Sequence, residues 1–305
     1  MYSDYLPKNI NDFILNENIT KKLKQKNYNN LNHLLFYGIK GCGKKHIINN
    51  LIKYLFNTDN IITKNRKTDI KINNNNITVN FIESNYHYEI NLYEYGLYDK
   101  HIITEFIKDI ISTKNISNNL YKIIIIHKID MINEIAQLTL RRIIESFSAN
   151  CRFIITAENI TKVNNALLSR FECIRIPFPE KTQLLEYCNY NNNKYNLKLD
   201  NEQIQTIIST DYNNYDLNCI NYNLFHTFNN FNKFNINEKF DKIIKNETKL
   251  FMDELRKFIY KLHLLNYSYT SIIKTYLRHI ISQNSYSKEE IVKIINKATE
   301  CEYQC

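Results

Sequence analysis

Gly38-Ile39-Lys40-Gly41-Cys42-Gly43-Lys44-Lys45 holds three of the four glycines in a chain of 305 residues. Glycine lets main-chain N–H groups turn inward and approach a ligand closely. The spacing G-x-x-x-x-G-K is that of a phosphate-cradling loop, with Lys44 reaching the phosphates as a point charge. His33-Leu-Leu-Phe-Tyr37 before it is a short apolar strand. Ile47, Ile48, Leu51, Ile52 and Leu55 after it recur at helical spacing. Strand, glycine loop and helix are the setting such a loop requires, because the helix N-terminus offers aligned N–H dipoles to an anion. The alternative is a mere strand-to-helix turn. One position departs from the pattern. Ser or Thr normally follows the lysine and ligates Mg²⁺, whereas here Lys45 stands there and His46 follows. A cation cannot ligate a cation, so the loop reads as one that binds a nucleotide and need not hydrolyse it.

Outward from the loop, residues 1–32 form a polar lead-in ending in a short helix near Glu17–Lys26. Residues 57–80 read as irregular, with a hairpin of Ile70-Lys-Ile72 and Ile77-Thr-Val79 around an Asn run. Phe81-Ile82 and Tyr88-Glu-Ile90 read as extended. Apolar residues at 102, 103, 106, 107, 110 and 111 predict a helix over 101–112. Ile123-Ile124-Ile125-Ile126 is a β-branched run that fits a strand buried on both faces of a parallel sheet. Ala136, Leu140, Ile143, Ile144 and Phe147 form one face of a helix that carries Arg141 and Arg142. Phe153-Ile154-Ile155 and Ile174-Arg-Ile176 read as further buried strands. Strands alternating with helices between Pro7 and Pro179 predict an α/β layer domain. Beyond Pro179 only helical patterns remain, with boundaries near 179 and 237: a P-loop domain over 1–179, small helices over 180–237 and long helices over 238–305. No internal repeat is visible.

The formal charge of +9 suggests an acidic partner, nucleic acid first, or simply solubility. The seven cysteines include no C-x-x-C pair, so zinc is not expected, and their scatter fits reduced intracellular thiols. Asp4, Lys8 and Asp12 stand where a signal peptide needs an apolar core. No run is long and apolar enough to span a membrane. After the Ile123–Ile126 strand, where a P-loop ATPase carries two carboxylates for Mg²⁺ and water, the chain has His127-Lys128-Ile129-Asp130. Neither His127 nor Lys128 can hold Mg²⁺ beside Lys45, and Asp130 lies too far along to be taken as a replacement.

The order of these pieces resembles the small subunits of replication factor C, the eukaryotic clamp loader of the AAA+ class. Tyr5-Leu6-Pro7 resembles that family's Tyr-Arg-Pro opening, with Leu6 in place of Arg. Gly43-Lys44-Lys45 and Ser84-Asn85-Tyr86-His87-Tyr88-Glu89-Ile90-Asn91 resemble the member with a degenerate, hydrolysis-deficient ATP site. Leu140-Arg141-Arg142-Ile143-Ile144-Glu145 and the run from Cys151 through Lys162-Val163 to Ser169-Arg170 also follow the family, which is matched over about 1–180. Glu158 stands where the family's first sensor Asn would be, with Asn159 beside it, and Asn218 stands where a sensor Arg would be. The resemblance implies an AAA+ parallel-sheet domain, a small helical lid and an all-α collar. It implies ATP or ADP held by Gly38–His46 with Tyr5 and Pro7, Mg²⁺ being disfavoured by Lys45, and no metal centre. It implies that Arg170 is an arginine finger acting on a neighbour's nucleotide, although it could instead pair with a carboxylate such as Glu172. Implied partners are the other subunits of a heteropentamer, a PCNA-like sliding clamp and primer–template DNA, with Arg141, Arg142 and Lys162 as candidates for phosphate contact. The compartment would be the nucleus or a viral replication site.

Three readings follow. The first is a non-hydrolysing assembly subunit of a clamp loader. The second is an independent AAA+ ATPase, such as a helicase loader. The third is a small-molecule or nucleoside kinase, against which the helical C-terminal region and Ser169-Arg170 argue. ATP turnover by the isolated chain separates the first two.

Overall fold

The structure, a computed structural model, describes residues 7, 9–72, 75–112, 121–211, 216–226, 251–264, 269–282 and 287–304. Tyr5, Leu6, Asn73 and Asn74 of the Asn run, and residues 227–250 therefore lie outside the described residues. The described chain divides into two compact units, one up to Tyr187 and one from Cys188 onward.

The first unit is built on a seven-stranded sheet. In chain order the strands are β1 (Leu34–Tyr37), β2 (Thr63–Ile72), β3 (Asn75–Ser84), β4 (His87–Ile90), β5 (Lys122–Ile126), β6 (Cys151–Ala157) and β7 (Glu172–Arg175). They lie in the order β2-β3-β4-β5-β6-β1-β7. The five strands from β4 to β7 pair in parallel, while β2 and β3 form an antiparallel ribbon at one edge. Helices α1 (Glu17–Lys24), α2 (Lys44–Phe56), α3 (Asp99–Ile102), α4 (Lys108–Ser112), α5 (Glu134–Ser146) and α6 (Asn165–Leu168) belong to the same unit. A π-turn at Ile103–Ile107 joins α3 to α4, so the helix expected over 101–112 forms with one widened turn.

The isoleucines of β5 explain why this sheet is doubly covered. Side chains alternate between faces along a strand. Ile124 and Ile126 join one core cluster with Leu140 and Ile144 of α5, and Ile123 and Ile125 join a second with Ile48 and Leu51 of α2. All four are fully or almost fully buried. Each contributes about 1.5–3 kcal/mol relative to an exposed position. Leu35 of β1 likewise faces the first cluster, and Leu34 and Phe36 face the second.

Two expectations need correcting. The hairpin is much longer than the two short pieces read around the Asn run, with a register from Thr63↔Ser84 to Ile72↔Asn75, and Phe81-Ile82 belongs to the same β3. Ile174-Arg-Ile176 is not a doubly buried strand. β7 is the outer parallel strand beside β1, and its residues are only half-buried or exposed, with Cys173 and Arg175 exposed.

The second unit is helical. α7 (Lys181–Lys194) runs across the break between units, followed by α8 (Asn201–Asp211), α9 (Leu217–His226), α10 (Phe251–Leu264), α11 (Tyr269–Ser282) and α12 (Lys288–Gln304). α8 packs on α9, and Ile204, Ile208, Ile220 and Leu224 of the two helices are buried. Asp216 caps α9 by accepting the Asn218 N–H at 2.9 Å, so Asn218 is a first-turn residue, exposed at that helix start. No helix among the described residues is long and apolar enough to cross a membrane.

Candidate functional site

Gly38 ends β1 against the neighbouring strand. A side chain there could not exist: a Cβ would lie 2.2 Å from the Ile176 carbonyl oxygen. Gly43 caps α2 at φ 88°, a left-handed conformation that disfavours other residues. It offers no side-chain cap, and the first turn of α2 contains no acid. The first N–H groups of a thirteen-residue helix are thus left for an anion. Lys44 folds back into the loop and donates to Gly38 O at 2.6 Å and Ile39 O at 2.8 Å. Its ammonium is held where a phosphate would draw it off the carbonyls. Cys42 is buried beside it, and burial pushes its thiol up, so the loop thiol is an inert filler. Ile39 and Lys40 form the exposed crest of the loop. The loop's donors and charges fit a polyphosphate.

His46 points away from the loop towards the lead-in. Its ring lies 5.3 Å from that of Phe13, and Asn50 approaches its Nε2 at 3.3 Å while also donating to Pro7 O at 3.3 Å. Burial holds the imidazole below its usual value, with an opposing contribution from the Pro7 carbonyl. His46 and Pro7 therefore meet through α2, and Tyr5 is outside the described residues.

The position next to Lys44 shows why a metal does not fit. Glu89 of β4 is in register with Ile125 of β5, and both face α2. His127, two residues beyond Ile125, projects the same way. Glu89 is 7% exposed in its side chain, and one of its oxygens meets both Lys45 Nζ at 2.5 Å and His127 Nε2 at 3.0 Å. Burial alone would raise the Glu89 carboxyl, but the His127 and Lys45 hydrogen bonds outweigh it and bring the group down to about 2. This buried carboxylate is thus already paired with an ammonium. A divalent ion here would face the Lys45 ammonium, and at about 4 Å each pair of unit charges repels by about 4 kcal/mol at an effective dielectric constant near 20. Motif spacing does not single out Glu89, which stands 44 residues from Lys45; the sequence marks it only as part of the Ser84–Asn91 resemblance and as an acid inside a strand.

Asp130, set aside on spacing, is buried and accepts the main-chain N–H groups of Glu158 at 3.2 Å and Asn159 at 3.0 Å. It anchors the turn after β6. The Asn159 side chain accepts from Thr161 and caps its own short helix. Lys128 adopts φ 51° and sets its ammonium 4.6 Å over the Tyr93 ring.

Arg170 lies on another face. Its Nη2 contacts Glu145 Oε1 and its Nη1 donates to Ser169 Oγ at 2.7 Å. Arg141 Nε reaches the same Glu145 oxygen at 2.9 Å. Glu172, the partner suggested by sequence proximity, is instead paired with Lys26. The hydrogen bond from Arg141, with the charge of Arg170, holds the Glu145 carboxyl below its ordinary value. Arg142 and Lys162 are exposed.

A P-loop α/β domain of the AAA+ class carries these features. A family model described as DNA polymerase III, delta subunit, matches residues 15–180, and the chain belongs to that family. Replication factor C subunit 5 of Oryza sativa is 29% identical over 203 residues, 64% of this chain and 57% of that protein. A putative replication factor C small subunit of Acanthamoeba polyphaga mimivirus is 27% identical over 310 aligned positions, 97% of this chain and 78% of that protein. Replication factor C subunit 3 of Arabidopsis thaliana is 30% identical over 203 residues, 64% of this chain and 57% of that one. The chain thus spans a little over half the length of the two plant relatives.

Proposed function

We propose that the chain is a clamp-loader small subunit of the replication factor C type that binds ATP or ADP without hydrolysing it. Gly38–Lys44 receives the phosphates, with His46, Pro7 and Tyr5 on the side of the lead-in. Arg170 serves a nucleotide held by the adjoining subunit of a heteropentamer, and residues 238–305 form the collar that joins the subunits, with 180–237 as the lid. The assembly opens a PCNA-like ring and sets it on primer–template DNA in a nucleus or a viral replication site. Arg142 and Lys162 are free to contact phosphates, while Arg141 must first share Glu145. The observation that carries the reading is the pairing of Lys45 with Glu89. The chain keeps the phosphate loop, yet the buried Glu89 carboxylate opposite Lys45 is occupied by that residue's ammonium.

Two measurements test it. The isolated chain should bind ADP or ATP, lose binding on Lys44→Ala, and show turnover far below about 1 s⁻¹. Turnover at that rate or above would favour the independent ATPase. Native purification of the tagged chain from cells that make it should yield other P-loop chains in equal amount. A monomer would sink the assembly role, and a complex that survives deletion of residues 238–305 would sink the collar role of those residues.

A further inference from the structure

We propose that Lys45, aimed by Glu89 and His127, takes the place of the divalent cation in this site, so that the chain binds a nucleoside diphosphate or triphosphate without metal. The inference rests on the phosphate-loop reading above. Lys45 opens α2 next to Lys44, at the position whose hydroxyl would otherwise ligate Mg²⁺. Glu89 from β4 meets it across 44 residues, and His127 from the end of β5 meets Glu89 across 38, both from the sheet face that α2 covers. A carboxylate of that kind, placed beside a phosphate loop, is the natural support of a metal ion. Here it supports an ammonium.

The geometry leaves that ammonium useful to a ligand. An ammonium has three donors, and the Lys45 side chain is 59% exposed while directing one donor inward to the 7% exposed Glu89. The remaining donors can meet phosphate oxygens. Tethering also removes the need to recruit a third body from solution. His127 Nε2 lies 3.0 Å from the same Glu89 oxygen, and its Nδ1 lies 3.3 Å from Thr156 Oγ1, which braces the carboxylate in place. Glu89 is a positioning residue, and Lys45 is the group that would touch the nucleotide.

The test is a titration of the full chain with ADP, once in excess EDTA and once in millimolar Mg²⁺. Wild-type affinity should agree between the two within about threefold. Lys45→Thr, which restores the hydroxyl, should weaken ADP binding in EDTA by about tenfold, equivalent to 1.4 kcal/mol, and should regain affinity when Mg²⁺ is added. Glu89→Gln keeps an acceptor for Lys45 but removes the balancing charge. It should bind ADP more tightly in EDTA, by about threefold, and remain indifferent to metal; a merely structural glutamate would give weaker or unchanged binding. Should Lys45→Thr fail to fold, the wild-type and Glu89→Gln comparisons still decide. Wild-type binding that requires Mg²⁺, or Lys45→Thr binding like wild type in EDTA, overturns the inference while leaving the loop reading intact. Absence of ADP binding under both conditions overturns the loop reading and this inference with it.

Discussion

The carboxylate of Asp130, just beyond β5, accepts the main-chain N–H of Asn159, just beyond β6, at 3.0 Å. Its other oxygen takes the N–H of Glu158 at 3.2 Å. Two adjacent parallel strands are thereby tied at the end where the phosphate loop lies. Asp130→Ala removes a buried acceptor of two N–H groups, and hydrogen bonds to charged groups are worth roughly 1.5–3 kcal/mol each. Thermal melting of Asp130→Ala should show a loss of about 3 kcal/mol, with Asp130→Asn intermediate. A variant that melts with wild type would show that the turn finds other partners.

Gly38→Ala should be worse than an ordinary glycine replacement. The added methyl has the backbone oxygen of Ile176 in its way, and backbone cannot step aside as a flexible side chain would. Either β7 shifts or the loop does. Loss of nucleotide binding together with a stability loss above about 2 kcal/mol is expected. Unchanged ADP affinity would mean that the loop and β7 are not in register as described.

Acid should destabilise the sheet domain in two stages. Burial, with the charge of Arg152, lowers His33 to about 4, and burial lowers His87 to about 4. Both stay neutral in the fold while an unfolded chain takes up protons near 6.5, so stability falls as pH drops from about 6.5 towards 4. Glu89, held at about 2 against 4.5 when unfolded, adds a loss below about 4.5. Each group contributes a slope of up to about 1.4 kcal/mol per pH unit within its window. Stability measured by denaturant should be flat from pH 7 to 8 and decline below 6.5, and His87→Gln should flatten the upper stage. An equally steep decline in His87→Gln would assign the stage to other groups.

Arg170 should be dispensable alone and needed in company. Its contacts with Glu145 and Ser169 are on the surface, and exposed ion pairs are worth about 0–1 kcal/mol. Leaving Glu145 for a neighbour's phosphate therefore costs little. Arg170→Ala should leave melting and ADP binding of the isolated chain unchanged, and Glu145→Gln should do the same. In the assembled loader Arg170→Ala should lower ATP turnover. A finger is worth roughly 10³-fold or more at its own site, diluted here by the other sites. Arg170→Lys should rescue poorly, because a point charge lacks the planar fork. Wild-type turnover in the assembled Arg170→Ala complex would leave Arg170 as a surface pair only.

The parts legible in the sequence were those whose physics is local. The phosphate loop is eight contiguous residues, and β5 announces itself by four isoleucines that bury on alternate faces. The turn end of the β2–β3 ribbon was legible as a hairpin, and its outward extension escaped because the residues from Thr63 to Asp69 are all exposed, so no apolar alternation marks them. β7 did alternate, as Ile174-Arg-Ile176, and the period was right while the doubly buried reading was wrong. Glu89 and Glu145 escaped for a different reason. Their roles depend on strand register and helix phase, which bring Glu89 to Lys45 and turn Glu145, rather than the nearer Glu172, towards Arg170.

The outermost strand carries one more consequence. β2 ends the sheet with ten residues whose far side pairs with no other strand of that sheet. Such an edge is a template on which a second molecule can add its own strand, and aggregation begins there. β2 bears Lys64, Arg66, Lys67 and Lys71 against the single acid Asp69. Two such edges brought together would set ammonium against ammonium along their length. Edge-to-edge pairing of two copies is thereby disfavoured, and neutralising those four cations should cost solubility before it costs stability.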